Sequence, residues 1–378
     1  MPVRCHALIE LVIAVRCRAL IGLMAAGALV GCGPPPPPPP PPKPVVVGPP
    51  TDTVRIPLTD LLTRTYYGNP GGLYPGGINQ PPTDHDTAAR SRRNTIKPLD
   101  VNGDESSLGK YVLLSIGMSN ATQEWCSQSS GPPCASWTFM GKAAADPGVN
   151  HYSLVIVNGA ADGLDASAWT SPTAASYDRI KVSRLAPLGL GENQVQAVWI
   201  KLDDQKPSVS LGTKSDSLHP AAADSADAKI LLRNLGMTLR ALRVRYPYLR
   251  LVFLSSRIYG GFATTDLNPE PYAYESGFSV KWLIESQINE MRGLAANPLA
   301  GTLNYTKRMA PLALWGPYIW ASGPTPRSDG FAWLRTDFEE DGTQPSQIGE
   351  TKVADKLLDF FKNSPYTRCW FVTSGYCL

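Results

Sequence analysis

From residue 111 onward, short and continuously apolar runs alternate with helical segments, and this alternation is the strongest constraint on the fold. The runs are predicted to be buried strands at Tyr111 to Gly117, Tyr152 to Val157, Val195 to Leu202, Leu249 to Leu254 and Pro311 to Trp315. Strands that are apolar throughout are typical of a parallel sheet covered on both faces. The pattern therefore predicts an α/β domain of three layers, α/β/α, with a central parallel sheet of about five strands.

Helical segments fall between these strands. The clearest covers Asp224 to Tyr246, where leucines recur every three or four residues and form one apolar stripe. Phe278 to Met291 and Ser346 to Phe361 are the other predicted helices. Ligands bind parallel sheets at the carboxyl ends of the strands, so the loops that follow the strands are the places to look for a site.

Residues 1 to 31 have the character of an export signal. Arg16 and Arg18 precede an apolar run, which ends in Leu29-Val30-Gly31-Cys32. This tetrapeptide resembles a bacterial lipobox, and the resemblance implies cleavage before Cys32 and lipidation of its thiol. A transmembrane anchor is the alternative, but the run is shorter than the roughly 20 residues that a spanning helix needs. We expect a lipid-anchored protein of the bacterial cell envelope, on the periplasmic or the outer face.

The segment after the lipobox predicts a stalk and an arm. Residues 32 to 50 contain nine consecutive prolines, which would extend about 28 Å at about 3.1 Å per residue. Residues 51 to 107 carry clusters of Pro, Gly and Asn with little periodicity, which predicts an irregular arm wrapped on the main domain, residues 108 to 378.

The cysteines fit an exported protein. After signal removal and lipidation of Cys32, an even number remains, namely Cys126, Cys134, Cys369 and Cys377. We favour the pairs Cys126 with Cys134 and Cys369 with Cys377, because each closes a short local loop. Free thiols at the first pair are the alternative.

Composition narrows the classes of partner. The chain is 43% hydrophobic and 18% charged, a globular mixture, and its net charge of +3 is small, so nucleic acid is not an expected partner. Asp100, Asn102 and Asp104 have the opening spacing of a calcium loop, but Glu105 and Tyr111 occupy the positions that require glycine and a bidentate carboxylate. We predict no metal and no cofactor, and we expect a monomer.

Two segments at opposite ends of the predicted domain carry candidate catalytic side chains. The first strand runs into Gly117-Met118-Ser119-Asn120, which places the Ser119 hydroxyl on a turn between a strand and a helix. Just before the last helix the chain reads Asp341-Gly342-Thr343-Gln344. Serine also caps helices and aspartate also suits a helix start, so each segment has a structural interpretation as well.

Together these segments resemble the SGNH, or GDSL-like, hydrolase superfamily, whose nucleophile lies in a block G-x-S and whose acid and base lie in a block D-x-x-H. The Gly-Met-Ser-Asn variant is closest to the sialate esterase and carbohydrate esterase branches, which carry G-Q-S-N. The resemblance covers about residues 108 to 363 and implies a flavodoxin-like fold. It implies attack by Ser119 on the ester of an acylated carbohydrate, with Asp341 orienting the base and with Gly163 and the Ser119 amide holding the oxyanion.

The chain departs from the family pattern at two positions. Gln344 stands where the family has its catalytic histidine, and an amide does not accept a proton at neutral pH. Asp203 or Asp204 stands where the family has an oxyanion asparagine, and an ionised carboxylate there would repel the oxyanion.

Other histidines offer little replacement. His151 should lie at the amino end of the second strand, on the wrong side of the sheet. His85 and His219 could in principle fold over the site, and a structural or surface role is the alternative for both.

Four side chains in the loops at the strand ends are candidates for substrate contact: Asn120, Arg257, Tyr259 and Trp315. Flat rings suit stacking on sugars, although aromatic side chains also fill cores. The sequence leaves an impaired serine esterase and an inactive relative that binds glycan or cell-wall polymer as the two main hypotheses. A structural surface protein without a ligand is a third.

Overall fold

A five-stranded parallel sheet organises the domain, and its strands are the apolar runs of the sequence. The computed structural model describes residues 53–128, 132–212 and 225–375, so the predicted signal, Cys32, the proline stalk, His219 and Cys377 lie outside the described residues. The strands are β1 (Thr65–Tyr66), β2 (Asn69–Pro70), β3 (Tyr111–Gly117), β4 (Leu154–Asn158), β5 (Val195–Lys201), β6 (Leu251–Leu254) and β7 (Leu312–Trp315). The first two form a small antiparallel ladder, and the other five form the sheet.

The order of strands in the sheet is β4-β3-β5-β6-β7, with all neighbours parallel. The first strand of the sheet along the chain therefore lies between the second and the third, which is the flavodoxin-like order. This confirms the predicted fold class.

Helices cover both faces of the sheet. They are α1 (Leu58–Leu61), α2 (Thr83–Arg93), α3 (Ser119–Cys126), α4 (Phe139–Ala145), α5 (Ala175–Ile180), α6 (Asp227–Arg245), α7 (Tyr272–Met291), α8 (Gln347–Asn363) and α9 (Arg368–Phe371). Short 3-10 or π turns lie at Ala166–Trp169, Lys181–Leu185, Ala186–Leu188, Glu192–Gln194 and Arg335–Asp337. No helix in the described part of the chain is both long enough and apolar enough to cross a membrane.

The side chains of β3 alternate between two hydrophobic cores. Val112 and Leu114 pack in the core that contains the apolar faces of α6 and α7, whereas Leu113 packs in the core that contains α3 and α8. In the second core, Trp125 of α3 stacks on Trp199 of β5 with ring centroids 5.0 Å apart. Aromatic pairs of this kind stabilise beyond their area burial, so α3 is held firmly against the sheet.

The N-terminal arm is less irregular than its composition predicts, because residues 83 to 93 form helix α2. Acidic side chains lie in its first turn and arginines in its last turn, where each interacts favourably with the helix dipole. His85 of this helix is buried, and its Nε2 lies 2.8 Å from the carbonyl oxygen of Ala313. The helix therefore docks beside edge strand β7.

One of the two predicted disulfides lies within the described residues. Cys126 at the end of α3 is bonded to Cys134. The pairing of Cys369 with Cys377 stays a prediction because Cys377 lies outside the described residues.

Candidate functional site

The order of the strands places a crevice beside Ser119. Strand β3 leads into α3 on one face of the sheet, and its neighbour β5 leads toward α6 on the other face. The connections diverge from the carboxyl ends of two adjacent strands, which is where open α/β sheets bind ligands. Ser119 is the first residue of α3, so its hydroxyl lies at this point.

A small cleft with a volume of about 30 Å³ occupies the crevice. It is lined by Met118, Ser119, Asn120, Gly163, Gln205, Arg257, Leu267, Asn268, Thr343 and Gln344. A single water needs roughly 10 to 15 Å³ of such space, so the cleft has room for a group about the size of an acetyl. The distant segments containing Ser119, Gly163 and Gln344, which the family resemblance links, thus meet at one cleft.

Gln344 contacts Ser119 directly. Its Nε2 donates a hydrogen bond to the Ser119 Oγ over 3.1 Å, and its Oε1 is buried without a hydrogen-bond partner among the described residues. Whichever end of the amide faces the hydroxyl, the amide takes up no proton at neutral pH. Ser119 therefore has a hydrogen-bonding neighbour in Gln344, but this neighbour cannot act as a base.

Asp341 braces the loop that carries Gln344. One carboxylate oxygen, Oδ1, accepts hydrogen bonds from the backbone N–H groups of Thr343 and Gln344 over 2.8 and 2.9 Å. The other oxygen, Oδ2, has no hydrogen-bond partner in the described part of the chain. Asp341 thus fixes the backbone of the loop and keeps one oxygen available.

Asn120 and Arg257 line the cleft, but they also tie its walls together. The Nδ2 of Asn120 donates to the carbonyl oxygen of Thr343 over 3.0 Å, and its Oδ1 accepts from Nη1 of Arg257. Both residues are buried, and Arg257 Nε lies 4.0 Å from the Asp203 carboxylate. These contacts position α3 against the loop of Gln344, a role that the sequence did not indicate.

In the loop after β5, the charge of Asp203 and Asp204 and the position of Asp204 differ from what the sequence led us to expect. Burial raises the pKa of Asp203 to about 8 and that of Asp204 to about 7, so neither is a fully ionised carboxylate at neutral pH. Asp204 does not line the cleft, whereas the next residue, Gln205, does. Gln205 places an amide at the cleft beside the position where the family resemblance led us to expect an asparagine.

Asn268 is a second cleft residue that the sequence did not predict. Its Nδ2 donates to the carbonyl oxygen of Asp204 over 3.0 Å, and its Oδ1 is buried without a partner among the described residues. It lies in the long loop between β6 and α7, where the only local signal is an Asn-Pro turn.

The two aromatic candidates lie away from the cleft. Trp315 is buried, and its indole N–H donates to the carbonyl oxygen of Leu73 in the N-terminal arm over 2.6 Å. Tyr259 packs edge-on against Phe262 and Trp320. The prediction that these rings face the cleft is corrected, because the N-terminal arm and the neighbouring loop cover them.

Neither of the histidines in the described residues, His85 and His151, lines the cleft. His85 is buried beside β7, as described above, and burial lowers its pKa. His151 precedes β4, at the amino end of the sheet, and its Nε2 lies 3.0 Å from the carbonyl oxygen of Asp146. Within residues 53–128, 132–212 and 225–375, no three His, Cys, Asp or Glu side chains are grouped as metal ligands would be.

Similar folds occur among solved structures of low sequence identity. An extracellular lipase from Streptomyces rimosus matches at 14% identity and a TM-score of 0.30, covering 65% of this chain and 99% of the lipase. An esterase from Pseudoalteromonas sp. matches at 12% identity and a TM-score of 0.31, covering 67% of this chain and 97% of the esterase chain. A carbohydrate esterase described as having divergent catalytic and non-catalytic binding functions matches at 13% identity and a TM-score of 0.34. The match covers 67% of this chain and 69% of the esterase.

A salicylyl-acyltransferase from a tetracycline biosynthetic pathway also matches, at 14% identity and a TM-score of 0.31, covering 67% of this chain and 54% of its own. No family model matches the chain, and no curated protein matches its sequence.

The raised pKa of Asp203 makes the stability depend on pH. A buried carboxyl that binds its proton more tightly in the folded state stabilises fully below its unfolded pKa of about 4, and this contribution is lost as the pH rises through about 8. Relative to Asp203→Asn, the wild type should lose more than about 1 kcal/mol of unfolding free energy across this window. Urea unfolding at several pH values measures the difference.

The matched control is Asp266→Asn, which removes an exposed carboxylate from a nearby loop. Its curve should run parallel to that of the wild type. A parallel curve for Asp203→Asn would contradict the assignment of a raised pKa to this group.

Proposed function

We propose that the protein binds an acetylated carbohydrate at the Ser119 cleft without hydrolysing it efficiently, as an inactive relative of the SGNH ester hydrolases. The observation that carries the proposal is the contact between the Gln344 amide and the Ser119 hydroxyl over 3.1 Å. A serine attacks an ester only when a base removes its proton, and an amide in that position cannot. The hydroxyl instead remains a hydrogen-bonding group in a polar cleft.

The dimensions and lining of the cleft favour a small acyl group. A volume of about 30 Å³ accommodates an acetyl group but not a long acyl chain. Met118 and Leu267 supply apolar contact, while Gln205 and Asn268 place amides in the same lining. The similarity of the Gly-Met-Ser-Asn block to the G-Q-S-N branches supports a carbohydrate acetyl ester as the ligand.

Binding can be tested with an acetylated xylo-oligosaccharide and its deacetylated counterpart, using calorimetry on the chain from residue 43 onward. We expect the acetylated form to bind more tightly, and Ser119→Leu to weaken its binding at least about tenfold by filling the cleft. The control Ser183→Leu adds the same side chain at an exposed position on a different segment. Equal effects of the two substitutions would contradict the proposal.

Slow ester hydrolysis is the second candidate, and the placement of Ser119 and Gly163 in one cleft favours it. Wild type and Ser119→Ala should hydrolyse p-nitrophenyl acetate at the same background rate if the first proposal holds. A wild-type rate that disappears in Ser119→Ala would instead establish a serine esterase.

We also propose that the mature protein is a monomer held on the cell envelope through lipid on Cys32. The resemblance of Leu29-Val30-Gly31-Cys32 to a lipobox and the short apolar run before it support the lipid anchor. The mass of the protein extracted from membranes tests it, since an intact Met1 would exclude processing.

A further inference from the structure

A second and much larger cavity lies at the other end of the sheet from Ser119. It has a volume of about 370 Å³ and borders Arg250, just before β6, and Leu312, the first residue of β7. Because the strands are parallel, the first residues of β6 and β7 lie at the amino end of the sheet, opposite the carboxyl end of β3. This cavity is therefore separate from the candidate site.

Four arginines from separate segments line this cavity. Arg92 comes from α2, Arg243 from α6, Arg250 from the turn before β6 and Arg308 from the loop before β7. None of them forms an ion pair with a carboxylate in the described part of the chain. Asp84 lies close enough for its charge to raise the pKa of Tyr305, which lines the cavity. Its carboxylate is already paired with Arg292, however, through hydrogen bonds of 2.6 and 2.8 Å.

The contacts that these arginines make leave their charges uncompensated. Arg92 donates to the carbonyl oxygen of Tyr305 over 3.3 Å and lies 5.4 Å from its ring, and Arg243 donates to the carbonyl oxygen of Pro247. The Nε of Arg250 is buried without a hydrogen-bond partner among the described residues. Carbonyl oxygens and rings satisfy some of the donors, but they carry no negative charge.

The four charges also act on one another. Burial lowers the pKa of Arg243 and of Arg250, and the charges of Arg92 and Arg308 lower both further. Like charges grouped in a half-buried cavity oppose folding unless a counter-charge is present. A bound anion would supply that counter-charge and meet the open donors.

We propose that the four-arginine cavity binds a small anion that carries at least two phosphoryl groups. The planar guanidinium group matches phosphate oxygens in pairs, which makes arginine the usual residue for such ligands. A volume of about 370 Å³ falls in the range of small-molecule sites and exceeds what one phosphate fills. The ligand is a free or ester-linked diphosphate by its chemistry, and this site is independent of the Ser119 cleft.

The test is a calorimetric titration of the chain from residue 43 onward, first with inorganic pyrophosphate and then with inorganic phosphate. We expect pyrophosphate to bind at least about tenfold more tightly than phosphate, with affinity falling as salt is added. Equal affinity for the two anions would overturn the assignment of two phosphoryl groups. No binding of pyrophosphate would overturn the site itself.

Variants locate the binding within the protein. Arg250→Gln and Arg308→Gln should each weaken pyrophosphate binding at least about tenfold. Arg308 lies in an exposed turn, so its variant keeps the test valid if Arg250→Gln fails to fold. The control Arg233→Gln removes the same charge from an exposed position on α6 and should bind as the wild type does. Equal weakening by the control would show only a general charge effect and overturn the proposal.

A membrane surface is the competing source of phosphate groups. Flotation with phosphatidylglycerol vesicles separates the two cases, since a pocket for a soluble diphosphate should not need a bilayer. Capture by vesicles together with no binding of pyrophosphate would replace the proposed ligand with a lipid surface.

Discussion

Replacing Gln344 by histidine is expected to raise the hydrolysis of p-nitrophenyl acetate at least about 100-fold above the wild-type rate, because a positioned base contributes about 10²- to 10⁴-fold. In glutamine and in histidine, Nε2 is separated from Cα by the same number of bonds. The Gln344 Nε2 already lies 3.1 Å from Ser119 Oγ, so an imidazole at this position can reach the hydroxyl. The substitution therefore adds a base without moving the backbone.

The rest of the loop suits this base. Asp341 Oδ1 accepts hydrogen bonds from two backbone N–H groups, but Oδ2 has no partner among the described residues and can accept a hydrogen bond from the Nδ1–H of the imidazole. Asp341→Asn in the Gln344→His background should therefore remove most of the gained rate. The rate should also rise with pH through the histidine pKa, near 6.5 in an unperturbed group.

Two controls make the result specific. Gln344→Asn changes the same side chain without supplying a base and should stay at background. Ser119→Ala combined with Gln344→His should also return to background, because the nucleophile is gone. A folded Gln344→His protein that shows no activity above background would contradict the proposal that the lack of a base at position 344 limits hydrolysis.

Much of the fold was predictable because burial on both faces of a sheet leaves a clear sequence pattern. Strand β3 occupies the residues predicted from its apolar run, and α6 ends within one residue of its predicted limit. Helix α2 was missed because its buried face is short and its charged residues obscure the period. Its acidic start and basic end were the available signals.

The residues of the candidate site also differ in how far the sequence predicts their positions. Ser119 and Gln344 were predictable because they lie at the ends of regular elements, where position along the chain determines position in the fold. Gln205 and Asn268 reach the cleft through irregular loops whose path depends on packing, as the hydrogen bond from Asn268 to the carbonyl oxygen of Asp204 shows. The prediction that Trp315 faces the cleft was wrong because the arm that buries this side chain is distant in sequence.

The buried charges behind Ser119 connect the site to stability. Glu124 of α3 and Lys201 at the end of β5 form an ion pair whose side chains are almost entirely inaccessible to solvent. The pair joins the helix that begins with Ser119 to the strand beside it. Burial raises the pKa of Glu124 and lowers that of Lys201 to about 8, while the opposite charge of each partner counteracts the shift.

Removing either partner is expected to cost about 3 to 5 kcal/mol of unfolding free energy, because the remaining charge is buried without compensation. That is a large fraction of the roughly 5 to 15 kcal/mol that stabilises a typical domain. The double substitution Glu124→Leu with Lys201→Met should recover most of the loss, since no buried charge then remains. Urea unfolding of the four proteins forms a double-mutant cycle that measures the coupling.

The single variants should also respond to pH in opposite directions. In Lys201→Met the unpaired Glu124 has a raised pKa, so stability is greatest at low pH and is lost as the pH rises through that pKa. In Glu124→Leu the pKa of the unpaired Lys201 is lowered further, so stability increases as the pH rises toward the unfolded value near 10.5. Parallel pH curves for the two variants would mean that the remaining side chain titrates in the folded protein as it does in the unfolded chain, so that burial does not oppose its charge. Opposite slopes that disappear in the double variant, together with a favourable coupling energy from the cycle, would establish an ion pair that holds α3, and with it Ser119, against the sheet.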